Sequence, residues 1–113
     1  MADCLFCRIV RGEVPAKKVY EDEHTVAFDD INPQAPTHVL IIPKKHIAGL
    51  KEAGAEDAAL VGQCQLAAAE VARRRSIENG YRTVLNVGPG AGQSVFHMHV
   101  HLLGGRTLAW PPG

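Results

Sequence analysis

Three histidines alternate with apolar residues in the stretch Ser94-Val95-Phe96-His97-Met98-His99-Val100-His101-Leu102-Leu103. In a β-strand, successive side chains point to opposite faces, and each residue advances the chain by about 3.3 Å. A helix would scatter the same three residues around its circumference. We therefore predict a strand with the three imidazoles on one face and apolar side chains on the other.

The row of His97, His99 and His101 has three interpretations. As ordinary solvated side chains they are unusually concentrated, because half of the six histidines fall within five positions. As a metal site they are poorly arranged, since three residues along a straight strand do not converge on one tetrahedral ion with ligands about 2.0–2.1 Å away. Histidine has an ordinary pKa of about 6.5 and supplies nucleophiles, proton donors and relays near neutral pH. We favour catalysis.

The composition indicates one domain, residues 1–113, that acts on a small molecule. The length of 113 residues is enough for a proper core and too short for two domains. Twelve basic and twelve acidic residues cancel, and no basic stretch is interleaved with aromatic residues. This pattern argues against a duplex nucleic-acid groove and against an anionic membrane surface, so we expect a small-molecule partner.

The N-terminus and the cysteines indicate the compartment. Met1-Ala2-Asp3-Cys4 lacks the charged and hydrophobic regions of a signal peptide, and no apolar run approaches the roughly 18 residues of a membrane span. Three cysteines, an odd number, favour reduced thiols or metal thiolates over disulfides. We expect a cytoplasmic protein in which Cys64 is a small buried hydrophobic residue.

Two helices are predicted from the spacing of apolar residues. Leu5, Phe6 and Ile9 follow a plausible Asp3 cap and predict a short helix that ends near Gly12. A second, long amphipathic helix is predicted from about Ala55 to Asn79. It rests on apolar residues at three- and four-residue intervals: Leu60, Cys64, Ala67 and Val71.

Four or five strands complete the predicted fold. Alternating residues at 18–21 and 24–29 predict a hairpin, and the prolines within 32–36 predict a loop after it. Residues 38–42 are nearly all apolar and predict a central strand that stops at Pro43. Residues 82–87 predict a strand before the histidine stretch. Strands with one long helix indicate an α+β domain with a mostly antiparallel sheet.

A glycine-rich loop, Gly88-Pro89-Gly90-Ala91-Gly92, leads into the histidine stretch. Small residues let backbone N–H groups approach a phosphate, and Gln93 and Ser94 add polar side chains. We therefore expect an anion at this loop. The Gly-Lys-Ser/Thr ending of the NTPase phosphate loop and the dinucleotide fingerprint are both missing, which disfavours ATP-type kinase chemistry.

Several motifs together resemble the histidine triad superfamily. The run that resembles the superfamily's signature is His97-Met98-His99-Val100-His101-Leu102-Leu103. The stretch that resembles its usual lead-in is Gly92-Gln93-Ser94-Val95-Phe96. Four segments resemble the Hint branch of this superfamily, the histidine triad nucleotide-binding proteins. They are Phe28-Asp29-Asp30-Ile31-Asn32-Pro33-Gln34-Ala35-Pro36-Thr37-His38, Ile42-Pro43-Lys44-Lys45-His46-Ile47, Leu103-Gly104-Gly105-Arg106 and Trp110-Pro111-Pro112-Gly113. The resemblance covers nearly the whole chain. It implies a HIT-like fold, with a five-stranded mostly antiparallel sheet, one long helix and a short N-terminal helix.

The resemblance implies a purine nucleoside phosphoramidase, a hydrolase that cleaves the P–N bond of adenosine 5′-phosphoramidates, including aminoacyl forms, to AMP. His99 would attack phosphorus and form a nucleotidyl-histidine intermediate, which water then hydrolyses. The proton for the leaving amine would come from Ser94, His97 or His101. His38 would hydrogen-bond the row and fix its tautomers. No cofactor is required for this chemistry.

The resemblance also implies a purine nucleotide site. Asp30 is similar to the family's ribose-binding carboxylate, which accepts bonds from both ribose hydroxyls. The apolar positions that hold the purine ring are matched by Phe6, Ile9, Phe28, Ile31 and Leu40, each of which is equally plausible as a plain core residue. The surroundings of the phosphate are matched by Asn86, Gly92, Gln93 and Ser94, together with His99 and His101. Asn86 has the alternative role of a turn residue.

Two further implications concern a partner and a metal. Members of the Hint branch are homodimers joined sheet to sheet, and the resemblance places Trp110 against the partner subunit near its active site; a frayed end is the alternative. Some histidine triad proteins with this opening hold a structural zinc ion. Here the ligands would be Cys4, Cys7, His46 and His97, whereas other members lack the cysteines and work without metal.

Two other functions remain open. A related branch hydrolyses dinucleoside polyphosphates, but its members typically carry Pro-Arg after the triad, where this chain has Leu103-Gly104-Gly105-Arg106. We therefore expect slow cleavage of diadenosine polyphosphates. The other alternative is a non-catalytic nucleotide sensor or zinc-dependent adaptor, which would bind AMP without turnover.

Overall fold

A computed structural model describes residues 4–113 of the chain. The helices and strands, in chain order, are α1 (Leu5–Val10), β1 (Lys18–Glu21), β2 (Thr25–Asp29), β3 (Thr37–Pro43), α2 (Ala58–Arg74), β4 (Tyr81–Val84) and β5 (Val100–Gly104). Short 3-10 turns cover Leu50–Glu52, Ala55–Asp57 and Pro89–Ala91. Among residues 4–113, no helix is long and apolar enough to cross a membrane.

The five strands form one antiparallel sheet in the order β1-β2-β3-β5-β4. This confirms the α+β prediction. β3 is buried along its whole length, as expected for a central strand. In its pairing with β5, His38 lies opposite Leu103 and Leu40 lies opposite His101. The sheet register therefore brings His38 and His101 to one region of one face.

Each face of the sheet packs against one helix, because side chains alternate along every strand. Ala27, Val39 and Ile41 pack with α2, whose buried side includes Cys64 and Val71. On the other face, α1 contributes Phe6 and Ile9 to a second cluster, in which they pack against Val26, Phe28, Leu40 and Ile42 of the sheet. α1 has only six residues, so it covers part of this face and leaves the rest open to form a site.

The histidine stretch departs from the prediction of one continuous strand. β5 begins at Val100, so only His101 belongs to the strand, and His97 and His99 precede it in irregular backbone. Extending the β3–β5 register would place Met98 opposite Pro43, which has no N–H to donate. The alternation nevertheless persists, since Met98 is buried with Val100 in the core against α2.

The ends of α2 and β4 also differ from the sequence prediction. α2 ends at Arg74 instead of near Asn79, because Ser76 adopts a left-handed conformation (φ 59°) and the Ile77 N–H donates to the Ala72 carbonyl. This is the hydrogen-bond pattern of a Schellman cap. β4 ends at Val84 instead of 87. The predicted Asp3 cap lies outside the described residues, and the N-cap of α1 is Cys4, whose Sγ accepts from the Cys7 N–H.

Candidate active site

A cleft of about 940 Å³ opens beside α1 on the face that this helix leaves partly uncovered. Most of the predicted nucleotide-binding residues line it: Phe6, Ile9, Phe28, Asp30, Ile31, Leu40, Ser94, His99 and His101. His38 lines it as well. One wall of the cleft is therefore apolar, and the other carries a carboxylate, a hydroxyl and three imidazoles.

His99 has its tautomer fixed by the backbone. Its Nδ1 lies 2.9 Å from the His97 carbonyl oxygen, which only accepts hydrogen bonds. Nδ1 therefore carries the proton, and in the neutral ring Nε2 holds a free lone pair. The ring packs edge-on against Phe6, with centroids 5.3 Å apart, which holds its plane in place. His99 thus meets the requirement for a nucleophile, an unprotonated nitrogen held in a binding cleft.

His38 and His101 form a hydrogen-bonded pair, and the surrounding hydrogen bonds determine which nitrogen of each ring carries the proton. The Gln34 N–H donates to His38 Nδ1 at 3.0 Å, so this nitrogen is unprotonated. Neutral His38 therefore carries its proton on Nε2 and donates it to His101 Nδ1, 2.9 Å away. His101 in turn carries its proton on Nε2. The predicted role of His38 in fixing tautomers agrees with this geometry.

Asp30 lies beside this pair and contacts His38. Its Oδ2 lies 3.3 Å from His38 Nε2, and its Oδ1 accepts from the Asn32 N–H at 2.8 Å. We name Asp30, His38 and His101 the Asp30 relay. The contact with His38 is not among the sequence predictions. It could have been found from the hairpin register, because the Asp30 N–H donates to the His38 carbonyl one position beyond the last β2–β3 pair.

Burial keeps the two relay histidines neutral. Burial, together with the neighbouring His99 and His38, lowers the pKa of His101 to about 4, and Asp30 acts in the opposite direction. Burial also lowers the pKa of His38, again opposed by the charge of Asp30. Near pH 7 both rings are therefore uncharged, which is the protonation state that the hydrogen bonds require.

A second group of ligand-type side chains lies at the other end of the histidine row. We name Cys4, Cys7, His46 and His97 the metal cluster; one ligand atom from each lies within 4.8 Å of the others. His97 Nδ1 is 3.3 Å from Cys4 Sγ, 3.5 Å from Cys7 Sγ and 3.2 Å from His46 Nδ1. Ligands at about 2.0–2.3 Å around one tetrahedral ion stand roughly 3.3–3.7 Å from one another. The donor atoms therefore fit zinc.

The protonation of His97 agrees with this fit. Its Nε2 is 2.8 Å from the Pro43 carbonyl oxygen and must donate to it, so its Nδ1 presents a lone pair to the cluster. Burial lowers the pKa of His97 to about 4, against the effect of the Pro43 bond, and burial also lowers the pKa of His46. Burial and the neighbouring Cys4 raise the pKa of the Cys7 thiol, an effect that a bound cation would reverse.

The Asp30 relay also brings three ligand-type groups within 4.8 Å of one another, but its protons are arranged differently. Because His38 Nδ1 accepts from a backbone N–H, His38 Nε2 carries the proton and donates it to His101 Nδ1, with Asp30 Oδ2 3.3 Å from the same nitrogen. A metal ion would need that nitrogen as a lone-pair donor. In this proton order the relay is a hydrogen-bonded pair of imidazoles beside a carboxylate, and it does not offer the lone pair on His38 Nε2 that a metal ion would need.

Comparison with known proteins agrees with this geometry. The model of the HIT domain family matches residues 11–108, which is most of the chain. The chain belongs to the HIT family. It is 50% identical over 111 residues to a 14 kDa zinc-binding protein of Zea mays, with 96% of this chain and 87% of the maize protein covered.

Two solved structures extend the comparison of this HIT domain. A HIT family hydrolase from Legionella pneumophila is 51% identical and superposes with a TM-score of 0.96, over 98% of this chain and all of that one. A Zn-bound histidine triad family protein from Mycobacterium smegmatis is 35% identical, with a TM-score of 0.80 over 94% of this chain and 77% of that one. The relatives thus include a protein named as a hydrolase, one named as a zinc-binding protein and one solved with zinc bound.

The remaining predicted site residues of this HIT domain lie outside the cleft. Gln93 is buried, and its side chain accepts from the Gly88 N–H and donates to the carbonyls of Ala48 and Val95. Its side chain therefore holds the glycine loop in place. Asn86 is half-buried. Gly92 has a positive φ of 89°, which favours glycine there.

The structure also shows what surrounds two more of the predicted site residues, Trp110 and His97. Trp110 is 80% exposed and stacks on the guanidinium of Arg82, so its contact with a partner subunit stays a prediction. His97 is fully buried among the metal cluster and the Pro43 carbonyl. The lining of the cleft does not include it. Of the three predicted proton donors, Ser94 and His101 are the two that reach the cleft.

Proposed function

We propose that this HIT protein belongs to the Hint branch and is a purine nucleoside phosphoramidase. Its substrates are adenosine 5′-phosphoramidates, including aminoacyl forms, and its products are AMP and the free amine. One observation carries the proposal: His99 holds a lone pair on Nε2 beside His101, which holds a proton on Nε2, in a cleft with an apolar wall. A nucleophile and a hydrogen-bond donor next to each other are what displacement at an anionic phosphorus requires.

The first step forms a covalent intermediate. His99 Nε2 attacks phosphorus, a P–Nε2 bond forms, and the P–N bond to the amine breaks with its electron pair going to the amine nitrogen. The His101 Nε2–H donates a hydrogen bond to a phosphoryl oxygen, where negative charge increases in the transition state. Amines leave poorly unless protonated, so the exposed Ser94 hydroxyl relays a proton from solvent to the departing nitrogen.

The second step restores the enzyme. Water attacks phosphorus, the P–Nε2 bond breaks, and its electron pair returns to His99 Nε2. The water proton passes to solvent and AMP is released. Asp30 holds the ribose hydroxyls and the apolar wall, which includes Phe6 and Ile9, holds the purine. Every group in both steps is a side chain of the cleft or water.

The test measures release of a fluorogenic amine from an adenosine 5′-phosphoramidate. We expect turnover by the native protein and a loss of about 10³-fold or more in kcat for His99→Gln, because the nucleophile is removed. His24→Gln is the matched control, since His24 is exposed and pairs with Glu23. Its rate should equal that of the native protein.

Mass spectrometry of the protein quenched during turnover should find a nucleotidyl adduct on His99. Absence of turnover by the native protein, or full turnover by His99→Gln, would contradict the proposal. Faster cleavage of diadenosine tetraphosphate than of the phosphoramidate would favour the dinucleoside polyphosphate hydrolase instead.

We also propose that zinc occupies the metal cluster in a structural role. The donor distances support this, and so do the zinc-binding relatives from maize and Mycobacterium smegmatis. When bound, zinc supplies a cross-link between α1, which carries Cys7, and the irregular segment that carries His97. Because Phe6 and Ile9 of α1 line the cleft, the same cross-link holds one wall of the nucleotide site.

A further inference from the structure

We propose that Asp30 is a positioning residue for His101, acting through His38, in addition to binding the ribose of the substrate. This inference rests on the proposed phosphoramidase function for its substrate. It adds a second role to a carboxylate whose only expected partner is a sugar. In consequence, one side chain links recognition of the ribose to the alignment of the imidazole that faces the phosphoryl group.

The contacts of Asp30 carry the inference. Its Oδ2 is 3.3 Å from His38 Nε2, and the same nitrogen is 2.9 Å from His101 Nδ1. The Asp30 side chain is 19% exposed and that of His38 is 5% exposed, so solvent screens their interaction weakly. The backbone joins the two residues as well, since the Asp30 N–H donates to the His38 carbonyl at 2.9 Å.

Local structure decides which carboxylate oxygen faces the relay. The Asn32 N–H donates to Asp30 Oδ1 at 2.8 Å and closes an Asx turn, which leaves Oδ2 directed at His38. Each carboxylate oxygen accepts more than one hydrogen bond. Asp30 therefore retains capacity for ribose hydroxyls while it keeps its contact with His38.

The contact has a defined effect on His101. The proton on His38 Nε2 is donated to His101 Nδ1, and the negative charge of Asp30 Oδ2, 3.3 Å from the same nitrogen, favours the protonated form of that nitrogen. As long as His38 donates, His101 Nδ1 accepts, and the His101 proton stays on Nε2. An amide in place of the carboxylate would present its NH₂ group to the His38 N–H, because the amide oxygen is needed by the Asn32 N–H. The protons of His38 and His101 would then no longer be held on the Nε2 atoms.

A substrate that lacks ribose hydroxyls separates the two roles of Asp30. We would compare the adenosine and 2′,3′-dideoxyadenosine phosphoramidates with native protein and with Asp30→Asn. If Asp30 served only the ribose, the variant would match the native protein on the dideoxy substrate. We expect instead that kcat on the dideoxy substrate falls roughly 10- to 100-fold in Asp30→Asn, the usual loss when a reacting group is misplaced. An unchanged kcat on that substrate would overturn the inference.

Asp29→Asn is the matched control, because it removes the same charge from the neighbouring residue. Asp29 pairs with Arg75, at 2.9 Å, and not with His38. Asp29 and Arg75 also line the cleft, but their partly exposed ion pair involves no histidine of the Asp30 relay, so we expect kcat on the dideoxy substrate to stay within about twofold of native. An equal loss in both variants would assign the effect to net charge and overturn the positioning role.

An independent measurement keeps the inference testable if no phosphoramidate is hydrolysed. Nitrogen-15 NMR of the histidine side chains reports which ring nitrogen carries the proton, without any substrate. We expect His101 with its proton on Nε2 in the native protein and in Asp29→Asn, and a mixture of tautomers in Asp30→Asn. An identical His101 tautomer in all three proteins would overturn the inference, whereas turnover that fails while the tautomers shift would count against the phosphoramidase function alone.

Discussion

The metal cluster and the Asp30 relay use similar residues for different chemistry. Each brings ligand-type side chains within 4.8 Å of one another, and each contains one histidine of the row, His97 or His101. In the metal cluster, the His97 Nε2–H donates to the Pro43 carbonyl, so a lone pair points inward. In the Asp30 relay, the Gln34 N–H donates to His38, so a proton points inward.

The difference shows that one backbone group sets the chemistry of each cluster. A carbonyl acceptor behind the imidazole prepares it to bind a cation, and an N–H donor behind it prepares it to pass on a hydrogen bond. His99, between the two clusters, is fixed in the same way by the His97 carbonyl. Its free Nε2 then follows from the backbone of a residue in the metal cluster.

Of the changes that test this comparison, removal of the metal should have the largest effect, and that effect is on thermal stability. We expect one zinc ion per chain by elemental analysis, and a fall in Tm of roughly 10 °C or more after chelation or in Cys7→Ser. A ligand at 1,000 times its Kd stabilises the folded state by about 4 kcal/mol, and each kcal/mol shifts Tm by several degrees at this size. AMP affinity, measured by calorimetry, should also fall, because α1 carries both Cys7 and the cleft residue Phe6.

Cys64→Ser is a matched control for the loss of a thiol. Cys64 lies on α2 and is buried in the core against the sheet, where burial raises the pKa of its thiol to about 12, and it is not a member of the metal cluster. It should retain one zinc ion per chain. Zinc content that stays at one in Cys7→Ser, or a Tm that chelation leaves unchanged, would contradict the assignment.

Much of the fold and part of the site could be predicted from the sequence. Alternating apolar residues predicted β1 and β2, and a nearly continuous apolar run predicted β3. The spacing of apolar residues between about Ala55 and Asn79 predicted α2, which the structure places at Ala58–Arg74. The apolar wall of the cleft and the four members of the metal cluster follow from motifs that the chain shares with its family. These features depend on residue type and spacing along the chain, which the sequence states directly.

The tautomers could not be predicted, because they depend on backbone groups that the fold brings near the rings. The Gln34 N–H and the Pro43 carbonyl reach their histidines only through a loop after β2 and the end of β3. The end of the histidine strand has a similar cause. β5 begins only at Val100 because Pro43 lies opposite Met98 in the extended β3–β5 register. The spacing of residues within the histidine stretch does not show which residue of the neighbouring strand lies opposite Met98.

A medium effect is expected from Gln34→Pro, which removes the backbone N–H that orients His38. His38 Nδ1 is then free to carry the proton, and Nε2 gains a lone pair directed at Asp30 and His101. We therefore expect the Asp30 relay to become a second zinc site, with three donors of the types that zinc accepts. Equilibrium dialysis should find two zinc ions per chain.

Gln34→Ala is the control for this change, since it loses the same side chain and keeps the N–H. It should bind one zinc ion, as the native protein does, and its circular dichroism spectrum should match that of Gln34→Pro. If both variants bind the same amount of zinc, the backbone donor does not decide between the two kinds of cluster.

The smallest expected effect is a loss of stability at acid pH. Burial holds the pKa of His101 at about 4, and in the unfolded chain histidine titrates near 6.5. Between these values the unfolded state binds more protons than the native state, so the free energy of unfolding falls as the pH drops from about 6.5 toward 4 and is fully retained above 6.5. We expect a slope of up to about 1 kcal/mol per pH unit from this residue.

His101→Asn isolates this contribution, because its amide oxygen still accepts from His38 and does not titrate. Urea unfolding of both proteins at several pH values between 4.5 and 7.5 should give a shallower pH dependence for the variant. Any acid sensitivity of the metal cluster is common to the two proteins and cancels in their difference. Parallel curves would mean that His101 protonates equally well in the folded and unfolded chains, and the proton order of the Asp30 relay would then lose its physical basis.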